Sequence, residues 1–225
     1  KKFFIFIYVL IIQLLCTSSF ALVIGSDQEE IYIDANFSGE SLLVFGAFYS
    51  DPSQSRDSKS DILIEVVGPV EDVALRKKES YFGFWLNSKS ILFNDIPGFY
   101  YLSSTSEISN EFLNKNQIGL LNYKRSGMDN NSLIESNLSE VKSIAEQKEF
   151  YNALVRTKTS ENLYKQVFDE IEIIDGNLFR SYIDIPNTVP VGEYNVNLYL
   201  IIDNQVTQKY SYNFMAVSYT HLRAH

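Results

Sequence analysis

Cleaving a glycosidic bond takes two carboxylates about 5 to 10 Å apart across a cleft. Three acidic residues of this chain, Asp34, Glu65 and Asp184, fall inside strand-like patterns from which such a pair could be built. Strand alternation offers a simpler account, because every second side chain of a half-buried strand points into water. Nucleophilic and metal chemistry have less to draw on. Both histidines, His221 and His225, lie in the last five residues, and the only cysteine is Cys16. The body of the chain therefore excludes catalytic triads and His/Cys metal sites. Asp51-Pro52-Ser53 and Asp129-Asn130-Asn131 group oxygens without the spacing of a calcium loop. Glycines are scattered and form no phosphate or dinucleotide fingerprint. No cofactor, no metal and no catalytic residue is expected.

Binding chemistry is better represented. Between residues 76 and 101 the chain places Arg76, Lys77 and Lys78 near Trp85, Asn87, Phe99 and Tyr100. Aromatic and arginine side chains are the anchors that binding surfaces use. These seven residues are the candidate site. The competing reading buries Trp85 and Phe99 in a sandwich core, where tryptophan is routine. Glu79 directly follows the three cations, so a solvated strand end also explains them. A small-anion or solute receptor would need Arg76, Lys77 and Lys78 to converge on one pocket.

The elements that must position these groups are mostly strands. Ile31 to Phe37 alternates and predicts a half-buried strand, while the apolar run Leu42 to Phe48 predicts one buried on both faces. Ile62, Ile64 and Val66 form another alternating strand, closed by Gly68-Pro69. Val73 to Glu79, Phe82 to Leu86, Ile91 to Phe93 and Phe99 to Ser104 read as short strands. From about 107 to 168 the spacing turns helical. Val141, Ile144, Ala145, Tyr151, Leu154 and Val155 share one face behind Ser139 as N-cap, and Leu163 to Phe168 reads as a second short helix.

Strands then return. Asp175-Gly176-Asn177 predicts a hairpin between Ile171–Ile174 and Leu178–Ile185, with a cross-strand ion pair for Arg180. Tyr194 to Ile202 alternates strictly, and Asp203-Asn204 turns it into Val206 to Phe214. Gly192-Glu193-Tyr194-Asn195-Val196 follows the tyrosine-corner spacing of immunoglobulin-like sandwiches. The fold expected is mostly β: an immunoglobulin-like antiparallel β-sandwich interrupted by a helical segment at about 107–168.

The start of the chain carries Lys1-Lys2, an apolar run from Phe3 to Leu15, and small residues ending in Ser19-Phe20-Ala21, the layout of a secretory signal peptide. The expected domain is thus 22–215. Residues 216–225 break the preceding pattern, read as a translated sequencing adapter, and are expected to be foreign. Without Lys1, Lys2 and Arg223, 16 basic residues face 28 acidic ones, a net charge of about −12. A field of that sign argues against nucleic acid or an anionic lipid surface.

Several segments in order carry a resemblance. They are Asn36-Phe37-Ser38-Gly39, Leu43 to Ala47, Ile64 to Pro69, Arg76 to Glu79, Gly83 to Asn87, Pro97 to Tyr100, Gly176 to Arg180 and Ile185 to Tyr194. Together they resemble the transmembrane proteins of alphaproteobacteria, over roughly residues 27 to 215. The resemblance implies a signal peptide, a periplasmic domain and one C-terminal transmembrane helix. It places the chain at the periplasmic face of the inner membrane, and the function expected there is a non-catalytic domain binding another envelope protein. A sulfite-exporter-type permease is the example that neighbouring genes of the family suggest. It carries over no catalytic or ligand residue. The alternatives are a carboxylate-based envelope glycan hydrolase and a small-anion or solute receptor.

Overall fold

Apolar alternation, interrupted by short turns, gives thirteen strands and two helices in a computed structural model that describes residues 22–34, 37–48, 60–120, 123, 139–140 and 144–218. One sheet has four antiparallel strands in the order β1 (Leu22–Ser26), β3 (Glu40–Phe48), β11 (Leu178–Ile185) and β10 (Glu172–Ile174). A second has six: β2 (Glu30–Ile33), β13 (Gln205–Ser218), β12 (Gly192–Ile202), β4 (Ser60–Val67), β7 (Tyr100–Ser104) and β9 (Tyr164–Phe168). Its two edge pairings, β2 with β13 and β7 with β9, are parallel. A third unit is the long hairpin of β5 (Val70–Tyr81) and β6 (Phe84–Pro97), which β8 (Ser139–Glu140) joins for two residues.

The fold is mostly β, with a sandwich-like arrangement. In β11 the inward residues Phe179, Ser181, Ile183 and Ile185 are buried and the alternate ones exposed, as the pleat requires. They share a core with Ile62, Ile64 and Val66 of β4 and with Val196, Leu198 and Leu200 of β12. Asp175 and Gly176 both adopt positive φ and close the β10–β11 hairpin, across which Arg180 Nε donates to Glu172 Oε2 at 2.7 Å. Tyr194 Oη donates to the Pro190 carbonyl at 2.6 Å, the tyrosine-corner bond that the spacing predicts.

Several expectations change. β3 is not covered on both faces: its burial alternates, and Phe45 is exposed. β4 is the strand covered on both sides, from Ile62 to Val67, and on the face opposite the sandwich the turn after the short helix brings the Gly119 amide onto Glu65. The long helix runs Ile144–Ser160, and Ser139 belongs to β8 instead of capping it. Its chain reverses at Asn162, with φ 59° and the Leu163 amide donating to the Lys158 carbonyl. Beyond that turn, Tyr164–Phe168 is strand β9, where a second helix was expected. A free edge of β7 was available to pair with it.

The separate short strands expected between residues 73 and 93 are two long ones. β13 also continues to Ser218, with Ala216 opposite Gly192 and buried, so the first three residues of the odd tail belong to the sheet. Residues 1–21, the polar stretches that hold Asp51-Pro52-Ser53 and Asp129-Asn130-Asn131, and residues 219–225 lie outside the described residues. Among the described residues, no helix is long and apolar enough to cross a membrane.

Candidate binding surface

The β5–β6 hairpin grows directly out of the six-stranded sheet. β4 pairs with β7 up to Val67 opposite Tyr100. The ladder continues through Gly68 N to Phe99 O and Gly98 N to Pro69 O, then through Val70 opposite Pro97. The base of this extension is supported. Phe93 and Ile96 are buried, and Phe93 meets Tyr151 of the long helix edge-on at 6.1 Å. Three ion pairs fasten the helix along the hairpin: Lys158 to Glu71, Lys77 to Glu149 at 3.1 Å, and Lys89 to Glu146. Among the described residues, that support ends beyond Lys77 and Lys89.

Past this point the residue types invert what a surface hairpin normally shows. Tyr81, Phe82, Phe84, Trp85 and Leu86 are all exposed, Trp85 by 71% and Phe82 completely. Phe82 and Gly83 form the turn, at φ 50° and 86°. Glycine takes that conformation freely, whereas phenylalanine there is strained and gains no burial in return. Five large apolar side chains at one tip form a patch of the kind that marks a contact site.

Register sorts the cations. Lys78 is opposite Asn87 and Ser80 opposite Trp85, so Arg76, Lys78, Asn87 and Trp85 share one face. Arg76 and Lys78 are exposed, and among the described residues neither has an ion-pair partner. Lys77 points the other way, to Glu149 and, at 4.0 Å, to Glu79. The three cations therefore do not converge on one pocket. Tyr81 Oη donates to Glu79 at 3.0 Å, and this bond to a carboxylate holds the phenol above its ordinary pKa.

Of the seven residues read from the sequence, Arg76, Lys77, Lys78, Trp85 and Asn87 lie on the projecting hairpin. Phe99 and Tyr100 do not belong to its surface, since both are 1% exposed. Phe99 packs against Tyr194 in the core at 5.8 Å. Trp85 is the reverse case, because the core role is filled by Phe99 and Tyr194 and the tryptophan is left in solvent. Phe82, Phe84, Tyr81 and Leu86 were missed. Their signal was an apolar run passing straight through a turn, which leaves no inward face for it to fill.

Tyr100 belongs to a second polar centre, built around Glu65. Strand alternation points this side chain to water, yet it is 4% exposed. Its Oε1 accepts from Tyr100 Oη at 2.9 Å and from the Gly119 amide at 3.0 Å. Its Oε2 accepts from Tyr199 Oη at 3.1 Å and Asn197 Nδ2 at 3.4 Å. Burial, then the negative charge of Glu65, raises the phenols of Tyr100 and Tyr199 well above their usual range and Tyr123 to about 12. The donors come from β7, β12 and the turn after the short helix Asn110–Lys115. The centre ties the helical segment to the sheet.

Asp184 is exposed on the outer face of β11, 3.9 Å from Lys165, and Asp34 follows edge strand β2. The three carboxylates thus occupy separate faces and do not pair. Across the sandwich, the hydroxyls of Tyr101, Ser103 and Ser181 gather in the interior without strict hydrogen-bond geometry.

The family model described as "Putative transmembrane protein (Alph_Pro_TM)" matches residues 21–219. Comparison with curated proteins and with solved structures gave no match.

Proposed function

Starting from a chain that belongs to the Putative transmembrane protein family, we propose that its β domain is a non-catalytic contact module at the periplasmic face of the inner membrane, working through the tip of the β5–β6 hairpin. The observation that carries this reading is the exposed set Tyr81, Phe82, Phe84, Trp85 and Leu86 beyond the last support from the long helix. Such a patch in water costs solubility, and contact is the function that offsets it.

The topology agrees. β13 passes Gly192 at Ala216 and ends two residues later at Ser218, and the Pro69 ring at the hairpin base lies against Gly192. A membrane segment after residue 218 would leave from the end of the sheet where the hairpin projects. The tip can be covered by an envelope protein, of which a permease is the example the resemblance suggests, or by the bilayer itself. Either predicts that a cysteine placed at position 84, in a chain with Cys16 replaced by serine, is shielded from a membrane-impermeant maleimide in native membranes. Full labelling there would reject the reading.

A further inference from the structure

We infer that the occupant of the hairpin tip is lipid: the tip enters the interfacial layer of an anionic bilayer, with Arg76 and Lys78 at the level of the phosphates. This rests on the reading of the hairpin as the contact surface, and it adds what is contacted.

Side-chain chemistry changes with distance from the turn in the order a membrane interface demands. Along strands rising about 3.3 Å per residue, Tyr81 and Phe84 stand about 3 Å behind the Phe82-Gly83 turn and Leu86 about 10 Å. On the same scale the Lys78–Asn87 pair stands at about 13 Å and Arg76 at about 20 Å. Tyr81, the turn and β6 supply apolar side chains over about 10 Å, with Ser80 and the engaged Glu79 opposite Trp85 and Leu86, and that length matches the depth to which interfacial elements bury their apolar side. Trp85 stands about 7 Å behind the turn, and Tyr81 at its foot turns its hydroxyl back to Glu79 at 3.0 Å; tyrosine and tryptophan are the residues enriched at the headgroup level. Behind them, long cationic side chains reach headgroup phosphates while their stems stay with the apolar layer.

Charge complementarity points the same way. The complementarity is local: the net charge of −9 repels an anionic surface as a whole, as read from the sequence, but the tip presents two cations unpaired among the described residues. The carboxylate nearest the tip, Glu79, is engaged by Tyr81 and Lys77. A protein partner would be expected to offer a shaped pocket to a rigid anchor. This hairpin instead presents apolar side chains on both faces and around the turn, so it is adapted to a medium that surrounds it.

Trp85 is the only tryptophan of the chain, so its emission reports the tip even if other segments also reach lipid. The test titrates the purified full chain with vesicles of equimolar phosphatidylcholine and phosphatidylglycerol, with and without bromine on the acyl chains. Trp85 emission is expected to shift to shorter wavelength and to be quenched by the brominated lipid. Phe82→Ser with Phe84→Ser should raise the lipid concentration for half-quenching about tenfold or more, since two buried phenylalanines are lost. Arg76→Gln with Lys78→Gln should weaken binding to the anionic vesicles, leave pure phosphatidylcholine unaffected, and flatten the salt dependence.

Unchanged, unquenched Trp85 emission overturns the inference, as does quenching that survives the double serine variant. Shielding of position 84 in native membranes without any vesicle response would assign the tip to a protein instead. The contact-surface reading would then stand while the lipid inference fails.

Discussion

Removing the carboxyl group of Glu65 should cost this fold a large part of its stability, because among the described residues its four donors bond to no other acceptor. In Glu65→Ala the Tyr100 and Tyr199 hydroxyls and the Gly119 amide stay buried without a partner. Each such group costs about 1–3 kcal/mol. Asn197, at 3.4 Å, adds little because its bond is already long. Allowing for non-additivity among neighbours, the expected loss is about 4 kcal/mol. Against a total of about 5–15 kcal/mol for a domain, that leaves a marginal protein.

Tyr199→Phe removes one donor and leaves the others, so about 1–2 kcal/mol is expected. The double variant Glu65→Ala/Tyr199→Phe should lose less than the sum, because the phenol orphaned by the first change is gone. Urea unfolding followed by far-UV circular dichroism measures all three. Trp85 fluorescence would not serve, since that residue is exposed in the native state. A Glu65→Ala cost below about 1 kcal/mol, or strict additivity in the double variant, would refute the buried centre.

Replacing Phe82, Phe84 and Leu86 together by serine should leave stability within about 0.5 kcal/mol, since none of them is buried, and circular dichroism melting checks it. Alkaline pH should destabilise the fold over a defined window. Burial raises Tyr123, Tyr151 and Tyr212 from the ordinary 10 to about 12. The neutral phenol is therefore the form the fold favours, its contribution is complete below pH 10, and it is lost as pH rises from 10 through about 12. Absorbance at the tyrosinate band should show these phenols ionising together with unfolding. Gly46→Ala should destabilise the four-stranded sheet by about 1–3 kcal/mol, because the added carbon would sit 2.3 Å from the Val23 carbonyl and 2.6 Å from the Phe179 ring. Urea unfolding that matches the parent would contradict that packing.

Local signals were readable in the residues and distant cover was not. The Asp175-Gly176 turn, the tyrosine corner and the Arg180 pair are decided within a few residues of one another, and each follows from its spacing. The two coverings of β4 are decided by segments far along the chain. Ile62, Ile64 and Val66 look half-buried until the turn at Gly119 is brought over Glu65. A hint was present, because Leu63 and Val67 flank Glu65 on the face assigned to water. Conversely, Leu42 to Phe48 looks doubly covered, yet Phe45 is exposed and no element among the described residues buries it.

The hairpin illustrates the same limit. Alternation through Arg76 and Lys78 fits a strand with or without a partner for its apolar face. Hydrophobic content alone cannot separate a core tryptophan from a contact tryptophan. The candidate site was therefore half legible: its cations, Trp85 and Asn87 were named, its apolar cap was not, and Phe99 and Tyr100 were drawn in from the core.

The central claim, that the hairpin tip is the contact surface, is tested most directly by maleimide labelling in native membranes. Single cysteines would be placed at position 84 on the tip and at 209 on the solvent face of β13, in chains lacking Cys16. Labelling at 209 with shielding at 84, relieved when detergent dissolves the membrane, is the predicted result. Equal labelling at both positions before detergent would show that nothing covers the tip and would contradict the account.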